Sequence, residues 1–139
     1  MKWRGAKQSE AYRTHEAARE AFLGEMFECA IHGPECRRWD ISAHEMTPGK
    51  NRMRAFGVRA AWLPACGVCN CGVLRDNVIW PLAKQLALKL LIDPVYFDLI
   101  LIRKILAPEG TPVDRLPIVV TEAEVLEYVR ELLSVRAAA

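Results

Sequence analysis

The sequence predicts an α+β protein in which a small, irregular core lies between an N-terminal helix and a helical C-terminal extension. Three observations indicate this arrangement. The start of the chain has helical periodicity, the middle is interrupted by glycines and prolines and holds all five cysteines, and the remainder has apolar stretches with helical spacing. With 139 residues, 52% of them hydrophobic, the chain is long enough for one domain with a buried core.

The N-terminal element is predicted to be an amphipathic helix over residues 9–28. Ser9 is suited to cap its first turn. Its apolar positions recur at helical spacing and are Tyr12, Phe22, Met26 and Phe27. We expect this face to pack on the core, which occupies residues 29–78.

Residues 79–136 form a predicted helical extension that begins with two helices. Pro81 fits the first turn of a helix running to Ile92, because its missing N–H would have no partner there. Asp93-Pro94 ends this helix and begins a second one, which runs to about Leu106. A linker with prolines and a glycine follows.

A capping box predicts the last helix. Thr121 and Glu124 have T-x-x-E spacing, which is typical of a helix start, and the helix runs to about Arg136. Its apolar face comprises Val125, Leu126, Val129, Leu132 and Leu133. Such a face must be buried, so we expect it to contact this chain, a partner protein or a second copy.

The cysteines of the core include two close pairs, Cys29 with Cys36 and Cys66 with Cys69, about thirty residues apart. This spacing predicts one tetrahedral structural Zn²⁺ site, with four thiolates from two turns. The alternatives are buried core thiols and a disulfide framework. Core thiols fit one cysteine better than two pairs, and the chain starts without an apolar signal segment, which favours a reducing cytoplasm.

Two neighbouring residues leave the ligand set open. Cys71 is the fifth cysteine, and it is either a spare thiol or a competitor of Cys69 for the fourth ligand position. His32 precedes a Gly-Pro pair in the turn after Cys29 and is a substitute ligand. The sequence therefore defines the zinc site more firmly than its fourth ligand.

Two polar segments accompany the cysteines, Ala43-His44-Glu45-Met46-Thr47-Pro48 and Cys66-Gly67-Val68-Cys69-Asn70. In this order, the cysteine pairs and the two segments resemble the HNH endonuclease family over about a third of the chain. The resemblance implies a ββα-metal core, with short strands around residues 40–43 and a short helix after Asn70. It also implies metal-dependent hydrolysis of DNA phosphodiester bonds.

The resemblance assigns roles to individual residues. His44 matches an Asp or His that binds the catalytic divalent metal, such as Mg²⁺ or Mn²⁺, and Asn70 matches the residue that completes this site. Glu45 stands where the family has the His that acts as general base, so we expect it to accept the water's proton or to bind the metal. Ala61 replaces an Asn that orients the base. His44 is the other catalytic candidate.

A run of basic residues separates the two polar segments. Lys50, Arg52, Arg54 and Arg59 lie within ten residues that contain no acidic side chain. We expect them to contact DNA phosphates, and the alternative is a solvated loop.

The net charge of the chain, +2, is compatible with DNA binding but does not indicate it. No apolar run is long enough for a membrane span, so a cytoplasmic protein is expected.

Three function classes follow. The first is an HNH-type DNA endonuclease, favoured by His44, Asn70 and the basic run. The second is a catalytically degenerate DNA-binding module, favoured by Glu45 and Ala61 at positions where the family has other residues. The third is a protein-interaction domain that acts through its C-terminal helices.

Overall fold

The structure, a computed structural model, describes residues 6–34, 36, 40–47, 54–76 and 78–138. Within these ranges the helices and strands, in chain order, are α1 (Ala6–Glu25), β1 (Ser42–Glu45), β2 (Trp62–Ala65), α2 (Gly67–Cys71), α3 (Leu82–Ile92), α4 (Leu99–Leu106) and α5 (Glu122–Ala138). The predicted α+β class is confirmed. No helix in the described ranges has the length and apolar character needed to cross a membrane.

The strands β1 and β2 form an antiparallel sheet, in which Ser42 lies opposite Ala65 and His44 lies opposite Leu63. Helix α2 begins directly after Cys66, so the chain runs strand, strand, helix. The strand β2 is buried along its whole length, whereas His44 is the buried residue of β1. This unit therefore directs His44 towards the interior.

Some element boundaries differ from the sequence prediction. Helix α1 begins before Ser9, which therefore lies inside the helix and does not cap it. The segment after α3 is a single 3-10 turn, Pro94–Tyr96, and α4 begins only at Leu99. Helix α4 begins there because Asp98 caps it: the Asp98 carboxylate accepts a hydrogen bond from the N–H of Leu101 at 3.0 Å.

The main core lies between α1, β2 and the three C-terminal helices. The rings of Phe22 and Trp62 meet edge to face at its centre, with their centroids 5.6 Å apart. Other fully or almost fully buried members are Leu63, Leu86, Ile102, Ile105 and Val125. The helical extension is therefore packed onto the strand–strand–helix unit and shares its core.

The apolar face of α5 is divided between the core and the surface. Val125 is buried, and Val129 and Leu132 pack against the same core. Leu126 and Leu133 remain 40% and 48% exposed. This chain therefore covers Val125, Val129 and Leu132 but not the whole predicted face.

The N-terminus of α5 has the predicted capping box. The Glu124 N–H donates to Oγ1 of Thr121 at 3.1 Å, and Oε1 of Glu124 accepts from the Thr121 N–H at 3.3 Å.

We expect Thr121→Ala to lower the free energy of unfolding by about 1 kcal/mol, because one helical N–H loses its partner. Urea unfolding measures this, and Thr121→Ser, which keeps the hydroxyl, should remain close to wild type.

A buried ion cluster ties α3 to the segment before β2. Nζ of Lys89 donates to Oδ2 of Asp93 at 2.6 Å and to the carbonyl oxygen of Arg59 at 2.8 Å. The Arg59 guanidinium donates to both Asp93 oxygens and to Glu25, and it lies 4.0 Å from the centre of the Tyr96 ring. The cluster therefore fixes the approach to β2.

Candidate functional site

Two turns bring Cys29, His32, Cys66 and Cys69 together, with their ligand atoms within 4.8 Å of one another. Nδ1 of His32 lies 3.8 Å from Sγ of Cys29 and 3.5 Å from Sγ of Cys69. Zinc bonds of about 2.3 Å to sulfur and about 2.0–2.1 Å to nitrogen, at tetrahedral angles, would separate such atoms by about 3.6 Å. The spacing therefore fits a tetrahedral site with three sulfurs and one nitrogen.

The first turn is closed by backbone hydrogen bonds and a glycine. The Gly33 N–H donates to the Cys29 carbonyl oxygen at 2.7 Å, and the Gly33 φ of +59° is one that other residues rarely adopt. The next residue after Cys29, Ala30, donates its N–H to the carbonyl oxygen of Pro64 in β2 at 2.8 Å. The turn is thus attached to the strand that leads into the second turn.

The second turn is fixed by Asp40. Its Oδ2 accepts a hydrogen bond from the N–H of Gly67, the first residue of α2, at 3.1 Å. A Cβ atom at this glycine would clash with the same carboxylate oxygen, so a larger residue would displace the Asp40 side chain and break this hydrogen bond. The Cys66 carbonyl oxygen accepts from the Asn70 N–H at 2.8 Å, which places Asn70 one helical turn after the cysteine.

The three thiols of the cluster differ in their pKa values. Burial opposes ionisation of Cys29 and Cys66, but hydrogen bonds from backbone N–H groups and neighbouring thiols outweigh it and hold the pKa of both below the usual value. Burial, together with hydrogen bonds to Cys66 and Cys29 and their negative charge, raises the pKa of Cys69 to about 12. Sulfurs this close ionise together only beside a cation, so the donor set suits a divalent metal.

The structure brings together three of the four predicted cysteine ligands. In the fourth position it places His32, the substitute that the sequence left open. Cys36 lies outside this group of four but hydrogen-bonds to the Cys66 sulfur, so it remains next to the site. Cys71 is exposed and also lies outside the group.

A second polar site connects β1 with α2. Nδ1 of His44 and Oδ1 of Asn70 are 2.9 Å apart, and Nδ2 of Asn70 donates to Oγ of Ser42 at 3.1 Å. Two adjacent ligands of an octahedral ion, with bonds of about 2.1 Å, would be about 3.0 Å apart. His44 and Asn70 therefore fit two positions of a divalent metal. If the Asn70 amide is rotated, the same residues also satisfy one another without an ion.

The other nitrogen of His44 faces a buried side chain from α3. Nε2 of His44 is 2.9 Å from Oε1 of Gln85, and Nε2 of Gln85 donates to the carbonyl oxygens of Leu74 and Trp80. His44 is 6% exposed and Gln85 is 4% exposed. Within the described residues, no second group of three or more His, Cys, Asp or Glu side chains is close enough to share an ion.

The remaining catalytic candidate, Glu45, follows His44 on β1 and lies opposite Trp62. Because successive side chains of a strand point to opposite faces, Glu45 projects away from the face on which His44 meets Asn70. It is half-buried there. The roles assigned to Glu45 therefore stay predictions.

The four basic residues do not form one described surface. Lys50 and Arg52 lie outside the described residues. The Arg54 guanidinium donates to the carbonyl oxygens of Ile105 and Ala107 at the end of α4. The Arg59 side chain is only 12% exposed and is held in the ion cluster with Asp93 and Glu25. Arg59 is therefore largely withdrawn from solvent, whereas Arg54 has intramolecular partners but remains exposed, and its contact with DNA stays a prediction.

Comparison of the chain with protein-family models, with curated proteins and with solved structures gave no match. The strand–strand–helix unit and its two polar sites are therefore interpreted from their own geometry.

Sequence reasoning missed Ser42 and Gln85, and it ranked His32 below Cys36. A signal for His32 was present, because C-x2-H at Cys29 has the same spacing as C-x2-C at Cys66. A signal for Gln85 was weaker: it is the uncharged polar residue of a mostly apolar helix, next to Lys84. Nothing in the sequence indicates that this amide meets His44.

Proposed function

We propose that this protein is a metal-dependent HNH-type DNA endonuclease whose strand–strand–helix unit is closed by a structural zinc ion. The observation that carries the proposal is the contact between His44 on β1 and Asn70 on α2. These are the two residues to which the resemblance assigns the catalytic metal. Their convergence across the hairpin and the helix supports this assignment.

The proposed zinc site supports the second site mechanically. Its ligands are Cys29, His32, Cys66 and Cys69, and the last of these directly precedes Asn70. Zinc would therefore hold the short helix α2, which has only five residues and too few hydrogen bonds to be stable alone. The donor set, with three sulfurs and one imidazole, is typical of a structural zinc site with no position for substrate.

The chemistry of the proposed reaction divides between the ion and the side chains. The divalent metal would neutralise the charge that develops on the phosphate and on the leaving oxygen. His44 and Asn70 would hold it through Nδ1 and Oδ1, and Ser42 would orient the Asn70 amide. The resemblance assigns acceptance of the water's proton to Glu45, although its side chain projects to the face of β1 opposite to that of His44.

A second candidate function is a DNA-binding module that does not hydrolyse its ligand. The specific observation in its favour is the burial of His44, whose ring nitrogens both lie within hydrogen-bond distance of side-chain amides. A general base or a metal ligand must be reached by water, substrate or ion. On this reading, the His44 network only stabilises the zinc-containing fold.

The test is nicking of supercoiled plasmid by the zinc-loaded protein with a panel that includes Mg²⁺ and Mn²⁺. We expect His44→Ala to lower the nicking rate by about 100-fold or more, since it removes a metal ligand or base. Glu45→Gln should lower it similarly if Glu45 accepts the proton. Glu127→Gln, on an exposed face of α5, is the matched control and should remain as active as wild type.

The outcomes separate the two candidates. Full activity of Glu45→Gln would exclude Glu45 as the acceptor of the proton. Salt-dependent DNA binding without nicking by any metal would favour the binding module over the nuclease. A wild-type protein that neither binds nor cuts DNA would exclude both.

A further inference from the structure

The amide of Gln85 has only one orientation that satisfies its surroundings. Its Nε2 lies 3.1 Å from the Leu74 carbonyl oxygen and 2.9 Å from the Trp80 carbonyl oxygen. Carbonyl oxygens only accept hydrogen bonds, so the amide must direct its two N–H groups at them. Its Oε1 is then the atom that faces Nε2 of His44, at 2.9 Å.

This orientation determines the proton on the His44 ring. An amide oxygen only accepts, so Nε2 of His44 must carry a hydrogen and donate it to Gln85. In the neutral ring the lone pair then lies on Nδ1, which faces Oδ1 of Asn70, and an ion between these two acceptors or a rotated Asn70 amide satisfies both. The contact between His44 and Gln85 is buried, so a tautomer without a hydrogen on Nε2 would leave two facing acceptors there and is disfavoured.

We propose that Gln85 is the positioning residue of the His44 site: it fixes the ring in the Nε2–H tautomer and directs the lone pair of Nδ1 at Asn70. The purpose of this positioning, metal binding by His44, rests on the proposed function, whereas the geometry does not. Gln85 gives the helical extension a role in the site. The residue comes from α3, outside the segment that carries the sequence motifs.

A residue that hydrogen-bonds to a metal ligand acts on the metal through that ligand. A histidine that binds a metal through one nitrogen usually donates its other N–H to a fixed acceptor, which sets the tautomer and raises the basicity of the ligand. In this chain the acceptor is itself held at two points, because both N–H groups of Gln85 are anchored to backbone carbonyls. Rotation of the His44 ring would break the contact with Gln85 and the contact with Asn70 together.

The decisive measurement is the tautomer of His44 in the full-length, zinc-loaded protein, from long-range ¹H–¹⁵N NMR correlations of the ring. We expect the Nε2–H form in wild type. Gln85→Met, which has similar size but no acceptor, should abolish this preference. Leu86→Met, a neighbouring fully buried position, changes packing without changing the amide and should keep the wild-type spectrum. If Gln85 only contributes to packing, Gln85→Met and Leu86→Met should change the His44 spectrum alike.

Mn²⁺ titration provides the second measurement, because the paramagnetic ion broadens the His44 ring signals when it binds. We expect Gln85→Met to weaken Mn²⁺ binding at His44 by about 10–100-fold, and Leu86→Met to leave it unchanged. Asn70→Ala covers the case in which Gln85→Met fails to fold. It removes the other partner of the ring, and His44 should still show the Nε2–H tautomer if Gln85 sets it.

An Nδ1–H tautomer in wild type would overturn the proposal, whatever the protein does to DNA. So would an unchanged tautomer in a folded Gln85→Met protein, or loss of the Nε2–H form in Asn70→Ala. An Nε2–H tautomer that depends on Gln85, in a protein without nicking activity, would support the positioning role and count against the nuclease. The two proposals can therefore fail separately.

Discussion

We expect removal of the proposed zinc ion to unfold the strand–strand–helix unit. Structural zinc contributes on the order of 10 kcal/mol to folding in small domains, which is comparable to the whole stability of about 5–15 kcal/mol expected of a single domain. The cluster anchors both turns of the strand–strand–helix unit, so its loss releases β2 and α2 together. We expect a strong chelator to abolish the folded NMR spectrum of this unit, and zinc to restore it.

Cys69→Ser is the corresponding single substitution. Cys69 is fully buried in the cluster, and burial together with the neighbouring sulfurs raises its pKa, so a bound cation would favour its ionisation. The variant should lose bound zinc and a large part of its unfolding free energy. Cys71→Ser, two residues later and exposed, is the matched control and should retain both. A folded, zinc-free wild-type protein by elemental analysis would contradict the prediction.

The same measurement decides the fourth ligand. If His32 is the ligand, as the distances to Cys29 and Cys69 favour, His32→Ala should lower zinc affinity strongly and Cys36→Ser should lower it little. Cobalt substitution adds a spectral check, because thiolate-to-metal charge transfer is stronger with four sulfurs than with three. A four-sulfur spectrum that becomes a three-sulfur spectrum in Cys36→Ser would restore the set that the cysteine spacing predicts.

The parts of the site that the sequence predicted are those that depend on local spacing. The two cysteine turns follow from short motifs, whereas the order strand, strand, helix and the approach of His44 to Asn70, 26 positions away, were implied by the family resemblance. Gln85 could not be found in this way. Its contact with His44 joins residues 41 positions apart and depends on how α3 packs across the hairpin.

The fold shows the same limit. The capping box at Thr121 and the helix after Pro81 were predicted because their signals are local. Arg59 was predicted as a DNA contact because the neighbouring sequence is basic. Its acidic partners, Glu25 and Asp93, each lie 34 residues away and become visible only when α1 and α3 pack together. Charge in a sequence window therefore did not reveal which charges reach the surface.

Asp93→Asn should cause a large loss of stability although it hardly changes the size of the side chain. Asp93 and Lys89 have side chains that are 4% and 0% exposed, and the carboxylate also binds the guanidinium of Arg59. Asparagine keeps the size but removes the charge, so the Lys89 ammonium loses its only described acidic partner. Breaking a buried pair in this way costs about 3–5 kcal/mol. Urea unfolding measures the change.

Its controls separate buried charge from lost contacts. Asp114→Asn, at an exposed position, should change stability by no more than about 0.5 kcal/mol. Lys89→Met combined with Asp93→Asn removes the isolated ammonium, so the double variant should be more stable than Asp93→Asn alone. A loss in Asp93→Asn no larger than in Asp114→Asn would show that the cluster contributes little.

The acid limb of the stability curve provides an independent check on the cluster. Burial opposes ionisation of Asp93, but the hydrogen bonds and charges of Arg59 and Lys89 outweigh it and hold its pKa below the ordinary 3.8. Its stabilising contribution is therefore complete above that value and is lost as the pH falls through the lower, folded-state pKa. Burial also lowers the pKa of Lys89 below its ordinary 10.5, so the charged ammonium is less favourable in the folded protein than in the unfolded chain. This cost falls as the pH rises from the folded-state pKa towards 10.5. We therefore expect the difference between wild type and Asp93→Asn to be fully present at pH 6 and to disappear as the pH falls below about 4.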